Sequence, residues 1–275
     1  MSEIFRVACI ENCAGDSLSE NLARIDELID DAVLRNPQLI CLPEFYCLLE
    51  ESDSAYLSEK YCFETHPALL HGKKMAERTN CWILLGSIPV FVGQNKIKNR
   101  SVVLNPMGQI AGTYDKVHLF DVSIKDGQRY EESKTVSPGD RASIVDLPWG
   151  ACGLTICYDV RFPHLYRNLA QNGAKFITIP AAFTYKTGKA HWHTLVRARA
   201  IETGCYVFAP SQCGTRNWGR KTFGHSLIVN PWGEILAEGT GAEGVITADI
   251  KLSTVEKVRN MIPALMHDRV LNFEG

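Results

Sequence analysis

No block of lysine or arginine stands anywhere in this chain, and its 29 basic residues are balanced by 31 acidic ones for a formal charge of −2. That balance argues against nucleic acid and anionic membrane as partners. No apolar stretch approaches the roughly 18 residues needed to span a bilayer. No secretory signal opens Met1-Ser-Glu-Ile-Phe-Arg, and no two cysteines are spaced C-x-x-C, which sets aside a thioredoxin-type couple and a zinc ribbon. Ten cysteines are present nonetheless. Cys9, Cys41, Cys81 and Cys205 lie inside apolar, strand-like runs, so they read as reduced thiols of a cytoplasmic protein rather than as a disulfide framework. At 275 residues the chain can bury a substantial core, and one domain over residues 1–275, with a tail from about residue 262, is expected.

What is present is an alternation of strands and helices. Residues 5–10 form a short apolar strand. Ser17-Leu-Ser-Glu20 has the form of a capping box, and Leu22, Ile25, Leu28, Ile29, Ala32 and Val33 follow at helical spacing until Asn36-Pro37. Residues 38–42 are continuously apolar, the mark of a strand covered on both faces, and empty into Pro43-Glu44-Phe45-Tyr46. A polar stretch over 47–65 precedes a helix over 67–80 and a strand over 81–85. A hairpin around Asn105-Pro-Met-Gly108 then runs out at Asp115-Lys116. Residues 118–146 are polar and poorly periodic, a length at which loops tend to line a site. After the strand leading to Cys157 come a helix closed by Asn172-Gly173, a strand over 175–179, a helix over 191–203 and a strand over 205–210. A second hairpin, strands 222–229 and 234–238, surrounds Asn230-Pro-Trp-Gly233. A strand over 244–250 and a helix over 253–261 complete the pattern.

The two halves repeat one another. Asn105-Pro-x-Gly108 answers Asn230-Pro-x-Gly233, Cys81-Trp-Ile answers Cys205-Tyr-Val, and Leu42-Pro43 answers Ile179-Pro180, at offsets that are similar without being constant. Strands alternating with helices put helices outside sheets, and two such halves can bury their open sheet faces against each other. The expected fold is an α/β, four-layer α-β-β-α sandwich with internal pseudo-two-fold symmetry.

The chain's chemistry gathers at Gly153-Leu-Thr-Ile-Cys157-Tyr-Asp-Val-Arg-Phe-Pro163, where a buried strand delivers a cysteine to a polar corner ahead of a helix-starting proline. A helix N-terminus favours negative charge, so the Cys157 thiol is expected to ionise below the free value of about 8.5. Glu44 and Lys116 also sit at C-terminal ends of strands, where α/β folds collect reactive groups. Taken singly, a glutamate after a proline reads as a turn residue and a lysine after a strand as a solvated side chain. Together the three fit amide cleavage. Cys157 attacks the carbon, Glu44 moves the proton, and Lys116 with the Tyr158 N–H holds the oxyanion. His191 and His193 are no metal pair, because on a helix they point about 200° apart. Phe183, Lys186, Lys189 and Arg216, with Arg220, lie near strand ends as candidates to contact substrate or bind its carboxylate.

Leu42-Pro-Glu44-Phe, Tyr114-Asp-Lys116-Val-His-Leu-Phe and Thr155-Ile-Cys157-Tyr-Asp-Val-Arg-Phe-Pro163 resemble the motifs of the nitrilase superfamily of carbon–nitrogen hydrolases, a resemblance that runs from Arg6 to about Arg269. It implies a Glu-Lys-Cys triad at Glu44, Lys116 and Cys157. It also implies a second glutamate that positions the lysine, here Glu132, since Glu-Ser is the shared pair in Tyr130-Glu-Glu132-Ser. The same sandwich, paired into homodimers or higher oligomers, is implied too, with a small-molecule amide as substrate and no cofactor. Gly188-Lys-Ala-His191-Trp192, residues 197–203, Ser211-Gln-Cys-Gly214 and Gly224-His-Ser226 look most like the deaminated-glutathione amidases and ω-amidases. Deaminated glutathione is the expected substrate, with α-ketoglutaramate, or a nitrile or N-carbamoyl compound, as the alternatives. An intact triad argues against a non-catalytic scaffold.

Overall fold

The computed structural model describes residues 3–49, 53–58, 60–124 and 128–269, so the end of the expected C-terminal tail, 270–275, lies outside it. The first half holds β1 (Ile4–Glu11), α1 (Leu18–Val33), β2 (Leu39–Cys41), α2 (Pro67–Thr79), β3 (Trp82–Gly93), β4 (Lys96–Leu104) and β5 (Ile110–Asp115). A ribbon of β6 (Asp121–Ile124) and β7 (Gln128–Glu131), then β8 (Ser143–Leu147), lead into the second half. There β9 (Gly150–Leu154), α3 (Pro163–Gln171), β10 (Phe176–Thr178), α4 (Tyr185–Thr203), β11 (Tyr206–Ala209), β12 (Leu227–Val229) and β13 (Ile235–Glu238) follow the same order, before β14 (Gly244–Lys251) and α5 (Ser253–Met261).

The repeat holds strand by strand. In one six-stranded sheet β1, β2 and β3 run parallel and β4 and β5 return antiparallel; in the other β9, β10 and β11 are parallel, with β12 and β13 antiparallel. Each sheet takes a sixth strand against its first, β14 beside β1 and β8 beside β9.

Side-chain alternation builds the layers. Val7, Cys9, Leu39 and Cys41 pack with side chains of the second sheet, whereas Ala8, Ile10, Ile40 and Leu42 pack with Ile25 and Ile29 of α1 and with Met75 of α2. Helices α3 and α4 cover the other sheet from outside. Between the sheets an aromatic cluster fills the middle: Phe5 stacks on Trp149 at 4.2 Å and meets Phe176 edge-on at 5.3 Å, and Phe176 lies against Phe208 at 5.8 Å. The four-layer α-β-β-α sandwich follows from these packings. No helix among the described residues is long and apolar enough to cross a membrane.

Matched details show that the halves share local chemistry as well. The Asn105 Oδ1 accepts the N–H groups of Met107 and Gln109, and the Asn230 Oδ1 those of Trp232 and Glu234; Gly108 and Gly233 supply the positive φ that closes each turn. Helix α2 ends on Asn80 and α4 on Gly204, both left-handed, and the next residue in each case is a buried cysteine. Cys81 donates its thiol to the Pro37 carbonyl at 3.2 Å and Cys205 donates to that of Ala174 at 3.2 Å.

Several boundaries differ from the sequence expectation. Helix α4 starts at Tyr185, six residues early, because Gly188 lies against the Phe223 side chain and hides the break in its apolar pattern. Strand β3 continues to Gly93 and turns into β4 through Gln94 and Asn95, both at positive φ. The excursion at 118–146 contains three short strands. Strand β12 begins only at Leu227, since residues 222–226 are drawn away to hydrogen-bond Glu11, Gly214, Phe183 and Gln212. Ser17 caps α1 in position, yet its side chain makes no capping hydrogen bond; Asn21 ties the entry instead, bonding Gly15 and the Cys47 carbonyl.

Gly86 shows how the first reactive side chain is placed. A Cβ there would sit 1.9 Å from the Leu42 carbonyl oxygen and 2.3 Å from that of Pro43, so the segment carrying Glu44 lies directly on the Gly86 backbone. Gly86→Ala is expected to lower stability by about 3 kcal/mol or more, a fall in Tm of about 6–12 °C by calorimetry. An unchanged Tm would mean that this contact has room to relax.

Candidate active site

Glu44, Lys116 and Cys157 meet at one end of the sandwich, in a cleft with about 560 Å³ of empty space, mouth included. Glu44 follows β2, and its Oε2 accepts the Ala182 N–H at 2.9 Å, a bond from one half of the molecule to the other. Lys116 follows β5. Gly139 packs on that segment so closely that a Cβ would lie 2.2 Å from the Asp115 carbonyl, and the Gly139 N–H donates to the Lys116 carbonyl at 2.8 Å. Cys157 opens a short helical turn, Cys157–Arg161, at φ 46°, with its N–H tied to the Pro180 carbonyl at 2.9 Å. A left-handed, non-glycine residue at a strand-to-helix corner is a strained way to present a side chain, and it recurs at nucleophiles.

The polar groups form one buried network. Lys116 Nζ donates to Glu44 Oε1 at 2.8 Å and to both oxygens of Glu132 at 3.1 and 3.0 Å. Glu132 also accepts the Phe120 N–H at 2.6 Å, and the Asn99 side-chain amide donates to Glu44 at 2.9 Å and Glu132 at 3.4 Å. The Cys157 thiol lies close enough to the Glu44 carboxylate for each to shift the other's ionisation, and both line the cleft. Lys116 and Glu44 are only 2% and 3% exposed, so these charges meet in a low dielectric.

Their protonation follows from that burial. Burial pushes Glu44 upward, but the Lys116 charge and hydrogen bonds from Lys116, Cys157 and Asn99 outweigh it and hold the carboxyl below its usual range. Burial, with Glu44 nearby, raises Glu132 despite Lys116. Burial disfavours the Lys116 ammonium, yet Glu132 and Glu44 raise it well above the ordinary lysine value. Cys157 corrects the sequence expectation. Burial first, and then the Glu44 charge, push the thiol well up, with Lys116 opposing. These directions make the resting arrangement a neutral thiol beside an ionised carboxylate and an ammonium ion, chemistry suited to proton transfer during attack rather than to a standing thiolate.

Asp159, two residues past Cys157 and fully buried, staples the site. It accepts from the Tyr114 hydroxyl at 2.8 Å, from His118 N–H and Nδ1 at 3.1 and 2.7 Å, and from the Ile156 N–H at 2.8 Å. It therefore grips both flanks of Lys116 and the approach to Cys157 with one carboxylate.

Around the network, Tyr158 and Phe183 line the cleft with Tyr56, Phe120, Tyr130 and Arg220. In the turn at Cys157 the Asp159 N–H is the first to close back, on the Ile156 carbonyl, which leaves the Tyr158 N–H at the open first turn. Three expected substrate contacts lie elsewhere. Lys186 and Lys189 are exposed on the first turns of α4, outside the cleft lining. Arg216 is 5% exposed and spends its guanidinium on the carbonyls of Ala14, Cys213 and Gly214 and on Thr222 and Gln212, so it braces its loop instead of facing a ligand. Arg220 is the cation of that loop at the cleft, and its buried Nε has no hydrogen-bond partner. Asn99 and Asp159 escaped the sequence reading. The signal for Asn99 is faint: a polar residue on the buried face of an apolar strand.

The chain matches the carbon-nitrogen hydrolase family over residues 6–260. It is 40% identical over 268 residues to the deaminated glutathione amidase of Synechocystis sp., covering 96% of this chain and 97% of that one. It is 34% identical over 262 residues to the ω-amidase NIT2 of Xenopus tropicalis, covering 94% and 93%. The crystal structure of Saccharomyces cerevisiae Nit3, a member of branch 10 of the nitrilase superfamily, superposes with a TM-score of 0.88 at 29% identity, covering 98% of this chain and 97% of that one.

Proposed function

Because the chain belongs to the carbon-nitrogen hydrolase family, we propose that this amidohydrolase uses Cys157, Glu44 and Lys116 to cleave a small linear amide that bears a carboxylate, with deaminated glutathione as the substrate. The observation that carries the reading is the meeting of Cys157 in one cleft with a Glu44 carboxylate that Lys116 grips at 2.8 Å. As the amide carbon approaches, Glu44 takes the thiol proton while sulfur bonds to carbon. The oxyanion forms against the Tyr158 N–H and against Lys116, which turns one of its two N–H groups on Glu132 toward it and keeps the others on the two carboxylates. Collapse of that intermediate breaks the carbon–nitrogen bond as Glu44 returns the proton to the departing amine. Water then attacks the thioester, giving its proton to Glu44, and the carboxylic acid leaves with Cys157 restored as the thiol. Glu132 orients Lys116 throughout.

Deaminated glutathione and α-ketoglutaramate share the α-ketoglutaryl group that would become the thioester. They differ in the leaving group, cysteinylglycine for the first and ammonia for the second. The choice of the first rests on the relatives named deaminated glutathione amidase, at up to 40% identity among those compared, against 34% for the ω-amidase. Arg220, with its unpartnered Nε, is the cation placed to meet the acyl carboxylate. Measuring α-ketoglutarate release from each substrate tests the choice. A kcat/KM at least about tenfold higher for deaminated glutathione, about 1.4 kcal/mol, is expected. The opposite ratio would make the protein an ω-amidase. Arg220→Gln is expected to raise KM for these anions by about 10- to 150-fold, the loss of one charge-assisted hydrogen bond, while a neutral aliphatic amide keeps its KM. Equal effects on both would remove Arg220 from carboxylate recognition.

The same reading places the enzyme in the cytoplasm, where ten free thiols stay reduced, as a homodimer or higher oligomer. Ile201, Trp232, Ile262 and Met266, all exposed, support the oligomer with apolar surface near the C-terminal ends of α4 and α5.

A further inference from the structure

Away from the cleft, three side chains from separate elements converge on the surface: His193 of α4, His225 of the turn before β12, and Glu238 at the end of β13. We infer that His193 Nε2, His225 Nδ1 and a Glu238 carboxylate oxygen form a zinc-class divalent metal site. These ligand atoms all lie within 4.8 Å of one another. Both imidazoles already reach the same oxygen, Glu238 Oε1, at 2.9 Å. A tetrahedral ion with Zn–N and Zn–O distances of about 2.0–2.2 Å needs its ligands about 3.4 Å apart, so the two imidazole–carboxylate distances open by about half an ångström while the two imidazole nitrogens draw together. Two imidazoles and one carboxylate are a donor set suited to Zn²⁺, and an open fourth position takes water.

The rings are held in place before any ion arrives. Phe223 stacks on His225 with centroids 4.5 Å apart, and His193 meets Phe223 edge-on at 5.9 Å. His225 sits at φ 56° with its N–H bonded to Glu11 at 3.0 Å and its carbonyl accepting the Trp192 indole N–H at 2.8 Å. Stacking and backbone support of this kind hold the planes of the two rings toward Glu238. The three side chains are 31–38% exposed, which leaves a path for the ion and for the water. The site's position gives it a role. Phe223 also donates its N–H to the Phe183 carbonyl, so an ion here would clamp α4 and the 223–225 turn behind a wall of the cleft.

Two measurements on the full-length protein test the site. Zinc is titrated against a chromogenic chelator, with His193→Gln, Glu238→Gln and, as a thiol control, Cys62→Ser. One equivalent should bind the wild type and the control alike, and each ligand variant should bind about 100-fold more weakly or worse. Cobalt substitution is read in parallel on the wild type, which makes the test independent of how the variants fold. Intense visible bands of tetrahedral cobalt without a thiolate charge-transfer band in the near ultraviolet are expected. Unchanged affinity in both ligand variants, a thiolate band from the single bound ion, or no zinc bound at large excess would each overturn the inference.

Discussion

Replacing Cys157 with alanine is expected to lower kcat by about 10⁵- to 10⁶-fold, the scale on which a nucleophile acting as a unit with its base is lost. The change removes one sulfur from a site whose other groups hold each other. Lys116 keeps Glu44 and Glu132, Asn99 still bridges the two carboxylates, and the Ala182 N–H still binds Glu44. Substrate affinity should therefore survive, and binding calorimetry with either α-ketoglutaryl amide should give a Kd within a few-fold of the wild-type KM. Residual turnover above about 1% of wild type would take Cys157 out of the reaction, since among the described residues no other thiol lines the cleft.

Glu44→Gln separates two ways of activating a thiol. Burial and then the Glu44 charge push Cys157 up and Lys116 pulls it down, so neutralising Glu44 removes one of the two opponents of the thiolate and leaves Lys116 in its favour. Iodoacetamide should then alkylate Cys157 at neutral pH at least as fast as in the wild type. Amide hydrolysis needs a proton carried to the leaving nitrogen, and it should fall by about 10²- to 10⁴-fold. A parallel fall in both rates would show that Glu44 merely shapes the site. The wild-type pH profile follows from the same charges. Glu44, held low, is lost as a base only on acidification below the ordinary carboxylate value of about 4.3. Lys116, held high, loses its proton only above its ordinary value of about 10.4. Glu132, which burial raises, sets the acid limb through its hold on Lys116, and kcat/KM should be flat across neutral pH to about pH 9. A half-point near 8.5 would mean that a pre-formed thiolate is the attacking species.

Much of this architecture was legible because it is written twice. Asn105-Pro-Met-Gly108 and Asn230-Pro-Trp-Gly233 are turn words with one mechanism, and their recurrence marks the duplication in the sequence itself. Glu44, Lys116 and Cys157 were legible because each ends an apolar run, where periodicity marks the strand and the polar residue marks its exit. The direction of the Cys157 shift was not. The helix terminus is visible in sequence, but the burial of Cys157 and the charge of Glu44, 113 residues away, which together set the direction, exist only once the chain is folded. Arg216 and Arg220, four residues apart in one loop, look alike in sequence, and only the path of that loop decides which guanidinium meets carbonyls and which meets the cleft. His193 fails as a metal ligand when only its own helix is considered, because its partners arrive from β13 and from the turn before β12.

The contacts of Gly86 and Gly139 divide the enzyme into what can be redesigned and what cannot. The segments carrying Glu44 and Lys116 lie backbone against backbone, with no side chain between to absorb a change. Tyr56, Tyr130 and Arg220, which shape the space above them, come from a short helical turn, a ribbon and a loop, none of which carries a triad residue. New amide substrates should therefore be reached by exchanging those three segments, with the reaction chemistry beneath carried over unaltered.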